Sequence, residues 1–165
     1  MKRNRGFLTG LWLGLALALG QPALAQDAPP PSKGQLLYLP VYSHIYHGVL
    51  DRKGKPDNLL LSALVSIRNA DSRRPIRISS ARYYDTEGKL LREFVAAPRV
   101  IPAFGTLELF VEQNDTSGGS GANFAIAWEA ETAVNPPVVE ALHAFIQGPR
   151  SVVFITYARP MRPAD

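Results

Sequence analysis

The sequence predicts an all-β fold, an immunoglobulin/fibronectin-like two-sheet β-sandwich of about seven or eight short strands. Apolar residues recur with a period of two rather than 3.6. The apolar runs are short and are separated by clusters of Gly, Pro, Asn and Asp. There is no cysteine, so neither a disulfide nor a thiolate metal site holds the chain, and stability must come from a packed core. Of the 165 residues, about 125 carry this pattern, enough for one domain.

The first 25 residues stand apart. "MKRNR" places Lys2, Arg3 and Arg5 before an apolar run from Phe7 to Gly20, and "QPALA" follows with Ala23 and Ala25. A basic start, a short apolar core and a small-residue exit make a secretory signal peptide. The run is shorter than the ~20 residues of a membrane span, so cleavage between Ala25 and Gln26 is expected, with a periplasmic or secreted product. Without cysteine no lipid anchor replaces the leader. Of the 18 Lys and Arg, removal of these three leaves 15 against 14 acids, a near-neutral balance that gives no reason to expect a nucleic-acid partner. The charges are segregated, with Arg68, Arg73, Arg74, Arg77, Arg82, Lys89, Arg92 and Arg99 in one stretch. Residues 100–149 hold Glu108, Glu112, Asp115, Glu129, Glu131 and Glu140 and no Lys or Arg. Mutual complementation of two sheet regions is the simplest use of that pattern.

The domain elements follow in order. "QDAPPPSKG", 26–34, is a Pro-rich extended tether. "LLYLPVYSHIYHG" alternates, with Leu37, Leu39, Val41 and Ile45 on one side and Tyr38, Tyr42, His44 and Tyr46 on the other. Pro40 within it removes a ladder donor and predicts an edge strand or a bulge. "ALVSIRN" directs Ala63, Val65 and Ile67 inward, and "RISSARYYD" and "KLLREFVA" flank a hairpin turn at Thr86-Glu87-Gly88. "TLELFVE" separates Leu107, Leu109 and Val111 from Glu108, Phe110 and Glu112, and "NFAIAWEAE" gathers Phe124, Ile126, Trp128 and Ala130. "VVEALHAFI", 138–146, has helix-forming residues after Pro136-Pro137, but its place in an all-β chain makes it a strand. "SVVFITYA" is the last strand of a domain spanning 35–160, and 161–165 forms a flexible tail.

The chemistry is sparse. "DTSGGSGANF", 115–124, combines an acid, hydroxyls and glycines. It matches neither the serine-protease Gly-Asp-Ser-Gly-Gly nor a G-x-S-x-G elbow, and it feeds a strand rather than the helix a phosphate cradle needs. A polar loop between antiparallel strands is the plain reading. A weak calcium alternative uses Glu112, Asn114, Asp115 and Asn123 as oxygen donors, although their spacing follows no EF-hand. His44, His47 and His143 would all have to converge to hold zinc without cysteine. A hydrolase built from Asp115 and these histidines is the enzymatic alternative. The rings of Tyr38, Tyr42, His44 and Tyr46 pack under a loop or, as a binding face joined by Asp115 and Asn123, stack on sugars or a protein. No cofactor is expected.

"LPVYSHIYHG" (39–48), "SIRNAD" (66–71), "ARYYDTEGKLLR" (81–92) and "GGSGANF" (118–124), in this order, resemble the bacterial family called domain of unknown function 3124. The resemblance covers nearly all of the exported chain and implies a single-domain exported protein. It carries over no catalytic or ligand-binding residue. "LVSIRNADSRRPIRISSARYYDTEGKLL" is also similar, at the level of fold, to the sandwich domains of late-embryogenesis-abundant group-two proteins. The expectation is therefore a non-catalytic protein-interaction or structural module of the cell envelope, with carbohydrate or envelope-polymer binding through the tyrosine-lined strand as the alternative.

Overall fold

The computed structural model describes residues 29–162, so the expected signal peptide lies outside the described residues. Those residues form strands and connections only. In chain order the strands are β1 (Ser32–Pro40), β2 (His44–His47), β3 (Asp57–Leu60), β4 (Ser62–Arg68), β5 (Ile76–Tyr84) and β6 (Leu90–Glu93). They continue as β7 (Arg99–Ile101), β8 (Thr106–Val111), β9 (Asn123–Val134), β10 (Val138–Phe145), β11 (Val152–Tyr157) and β12 (Arg159–Pro160). Two sheets face each other. One runs β12-β1-β9-β5-β6 with β7 also on β5, and the other runs β11-β10-β4-β8. Strands β2 and β3 form a separate two-stranded arm.

Alternation places the core. Leu37 and Leu39 of β1, Ala63, Val65 and Ile67 of β4, and Phe124, Ile126 and Trp128 of β9 all turn into the space between the sheets. These are the inward positions that the period of two assigns. Tyr83 stacks on Phe124 at 4.9 Å, and Phe94 meets both rings edge-on, closing one end of the core. Within the segment 138–146, Val138–Phe145 is a strand as expected, paired on both sides by β4 and β11.

The divisions differ from the expected ones at several points. Among the described residues twelve strands stand where seven or eight are expected, because short pieces such as β7 and β12 pair separately. The run through Pro40 is two strands in different sheets. Pro40 ends β1, whose neighbours are β9 and the two-residue β12, and the chain then turns into the arm. Strand β1 begins at Ser32, inside the segment expected as tether, because Ser32 pairs with Val134 across a bulge. The C-terminal end is tied down as far as Met161, the first residue of the expected tail, of which 163–165 lie outside the described residues. Arg159 and Pro160 pair with Tyr38 and Leu37, and the Met161 amide donates to the Leu36 carbonyl at 2.8 Å. The chain from β11 to β12 thereby crosses from one sheet to the other.

Charge segregation is used across strands. Arg68 pairs with Glu140, and Arg77 with Glu129 at 2.6 Å, each joining the basic stretch to the acidic one. Arg82 turns to Glu93 at 3.4 Å. Glu93 also accepts the Ala81 and Val95 amides and the Ser80 hydroxyl. Burial opposes its ionisation, yet these donors and Arg82 together hold its carboxyl below the usual range.

Candidate functional site

The glycine loop is a built closure. Thr86 donates its hydroxyl to the Gly118 carbonyl at 3.1 Å and accepts the Gly121 amide at 3.0 Å, while its own amide donates to Gly118. The Ser43 amide reaches the Gly119 carbonyl at 3.0 Å, and Val41 reaches Ala122. Below the loop the hydroxyls of Ser43 and Tyr83 share a buried hydrogen bond of 2.9 Å. A Cβ on Gly118 would overlap that Tyr83 hydroxyl, and Gly119 adopts a φ of 75°. The glycines are there because two side chains from β5 and its turn occupy the space. Asp115 binds the amide and hydroxyl of Ser117 and so shapes the turn.

This assigns different weights to neighbouring residues. Asp115→Ala and Ser117→Ala, which remove local bonds at an exposed turn, are each expected to change stability by no more than about 1 kcal/mol. Gly118→Ala, which must displace Tyr83, is expected to cost roughly 1–3 kcal/mol. Chemical denaturation of the three variants checks the contrast.

The other sequence candidates are distributed over the molecule. Tyr38 is partly exposed on the outer face of its sheet, opposite Ala125. Tyr42 is half-buried, edge-on to His143 at 5.6 Å and to Phe154 at 5.8 Å. His44 and Tyr46 contact each other edge-on on the separate arm. The four rings therefore occupy three environments rather than one face, because the strand expected to align them ends at Pro40. Asn123 lies at the start of β9 opposite Pro40 and Tyr84. Glu112 and Asn114 are exposed beside the turn that Asp115 organises. Among the described residues, no three His, Asp or Glu side chains converge as metal ligands.

His143 lies wholly inside the sandwich. Its Nε2 accepts the Tyr42 amide at 3.1 Å, and its ring stacks on Phe154 at 4.6 Å. The neutral ring then carries its proton on Nδ1, which has no hydrogen-bond partner. Burial pushes its pKa down to about 4; the nearby Ala141 and Phe154 carbonyls offset this only in part. Asn69 is a second buried polar group. It donates to the carbonyls of Arg74, Ile101 and Pro102 and accepts the Asp71 amide, locking two loops together. Neither role has a local signal, since each depends on partners brought in by the fold.

One groove, of about 650 Å³, lies where β5, β7 and β9 meet, lined by Arg74, Arg77, Val100, Glu129, Glu131 and Thr132. Its two arginines serve the protein itself, since Arg77 binds Glu129 and Arg74 donates to the Ala133 carbonyl. The outer face of the four-stranded sheet differs in kind. Cross-strand pairing sets Ile155, Leu142, Leu64 and Phe110 in one row across all four strands. Ile155 is 43% exposed, Leu142 37% and Phe110 53%, with Val153 and Tyr157 exposed beside them. Glu108 lies in the next row, paired across strands with Ser66, so an apolar band runs beside a charged border.

Fold and surface together define an antiparallel β-sandwich, closed at one end by a glycine loop and carrying an exposed apolar sheet face. The chain belongs to the family described as Protein of unknown function (DUF3124), whose model matches residues 34–161. No curated protein matches the chain. A solved structure from Thermotoga maritima, described as Crystal Structure of Thermotoga maritima 1070, is similar at 12% identity and a TM-score of 0.41. That match covers 76% of this chain and 92% of the other.

Proposed function

We propose that this protein is an exported, non-catalytic interaction module of the cell envelope, an immunoglobulin-like sandwich that docks a partner protein on the outer face of its four-stranded sheet. The observation that supports this best is the row Ile155–Leu142–Leu64–Phe110. A sheet face in water normally carries polar residues at these alternate positions. Here β10 and β11 are apolar on both faces, the composition of strands covered on both sides. The row itself is aromatic and branched, and it is bordered by Glu108 and by the Arg68–Glu140 pair, which suits a partner with an apolar centre and a polar, charged rim. The tyrosines are divided among three places, so stacking on a polysaccharide draws no support from a shared ring face. The leader "MKRNR" with its apolar run supports export.

Two measurements test the reading. Intact mass of protein from the periplasmic or secreted fraction is expected to give a chain beginning at Gln26, and a membrane species retaining residues 1–25 would overturn export. Leu142→Lys with Ile155→Lys is expected to abolish partner capture from envelope extract without loss of fold. Equal capture by that variant would remove the sheet face from the account.

A further inference from the structure

We infer that the β2–β3 arm is a membrane-contacting device that rests on an anionic lipid surface. The arm pairs His44–His47 with Asp57–Leu60 and belongs to neither large sheet. Its connecting loop presents Val49, 83% exposed, and Leu50, 65% exposed, with Tyr46 exposed on the adjoining strand. Arg52, Lys53 and Lys55 follow at once, all exposed. The loop is ordered by its own bonds: Asp51 accepts the Lys53 and Lys55 amides at 2.7 and 2.9 Å, and its backbone amide donates to the Lys55 carbonyl at 2.8 Å. One oxygen of Asp51 is thereby committed to backbone amides, and with Asp51 and the exposed Asp57 counted the three cations still leave the arm a net positive charge.

Each part suits a layer of a bilayer interface. Two adjacent aliphatic side chains at a loop can enter the boundary between headgroups and acyl chains. A tyrosine ring at the level above is at home among headgroups. Three cations beside the aliphatic pair favour phosphate-bearing lipids, each contributing attraction that neutral lipids do not supply. A protein partner fits less well, because a narrow two-stranded arm with two aliphatic residues offers far less than the roughly 800 Å² per partner of a stable contact. This inference is independent of the sheet-face reading, which concerns a different surface, apolar with a charged border.

The test is vesicle co-sedimentation of the exported chain, purified from the compartment that receives it. Vesicles of phosphatidylcholine mixed with phosphatidylglycerol are compared with phosphatidylcholine alone. Binding is expected only to the mixed vesicles and is expected to weaken with added salt. Val49→Ser with Leu50→Ser is expected to lower the partition constant roughly tenfold. Each of Arg52→Gln, Lys53→Gln and Lys55→Gln is expected to lower it about fivefold, the equivalent of about 1 kcal/mol per charge. Melting temperatures matching the parent show that these exposed substitutions leave the fold intact. All variants share one N-terminus, so its contribution cancels in the ratios. Equal binding to both vesicle types, unchanged binding by the variants, or no vesicle binding at all would each overturn the inference, as would arm variants that fail only in capturing a protein.

Discussion

Replacing Trp128 by alanine is expected to lower the unfolding free energy by roughly 3–5 kcal/mol, the range for emptying a large aromatic site. Trp128 is 2% exposed and sits on β9, the central strand of the larger sheet, between Gln35 of β1 and Ile78 of β5. No helix or loop can refill the space, because the cross-strand neighbours are held by ladders on both sides. Its indole Nε1 has no hydrogen-bond partner. Trp128→Phe therefore loses volume but also removes an unsatisfied donor, and is expected to cost less than about 1.5 kcal/mol. Urea denaturation of both variants measures the pair. An alanine variant within about 1 kcal/mol of the parent would mean that this face of β9 is not the core.

Acid is expected to destabilise the protein by about 3 kcal/mol through His143 alone, the equivalent of moving its pKa from 6.5 to about 4. The folded ring stays neutral because it is buried and because its Nε2 accepts the Tyr42 amide. The unfolded ring titrates near 6.5. Between these values the unfolded chain holds more protons, so falling pH favours unfolding. The contribution is complete above the unfolded value and is lost as pH falls through 6.5 toward 4. Glu93, whose folded pKa is also lowered, adds an effect of the same sign as pH approaches the ordinary carboxylate value of 4.5, so the upper part of the interval reports the histidine. His143→Phe keeps a ring against Phe154 but cannot titrate, and its stability is expected to be flatter over that interval. A parent protein equally stable throughout would contradict the burial of a neutral imidazole.

The fold was legible where one residue type meets one face. Alternation in 63–67, 107–111 and 124–130 assigned the inward positions because a strand exposes every second side chain to the core. The apolar bias of 138–145 and 152–157 lies on both faces, and that doubled pattern is a sequence signal of the exposed band. The separate arm was not legible, because Pro40 is compatible with a bulge, an edge or an end, and only pairing with Asn123 decides among them. The glycine loop read as a turn, but its reason did not. Gly118 is set by Tyr83 and Thr86, more than thirty residues earlier, and no local pattern records that approach. His143 and Asn69 were hidden for the same reason. Their partners, Tyr42 for one and the carbonyls of Arg74, Ile101 and Pro102 for the other, come together only once the sheets have packed.

The most direct test of the account is site-specific photo-crosslinking in cells, with the reactive group placed in turn at two outward positions. Leu142 lies in the apolar row of the four-stranded sheet, and Ala127 lies on the outer side of the other sheet, opposite Leu36. The account predicts a discrete protein adduct from position 142, lost when Phe110 and Ile155 are replaced by serine, and none from position 127. Adducts of equal yield from both positions, or an adduct from 142 that survives those replacements, would contradict it.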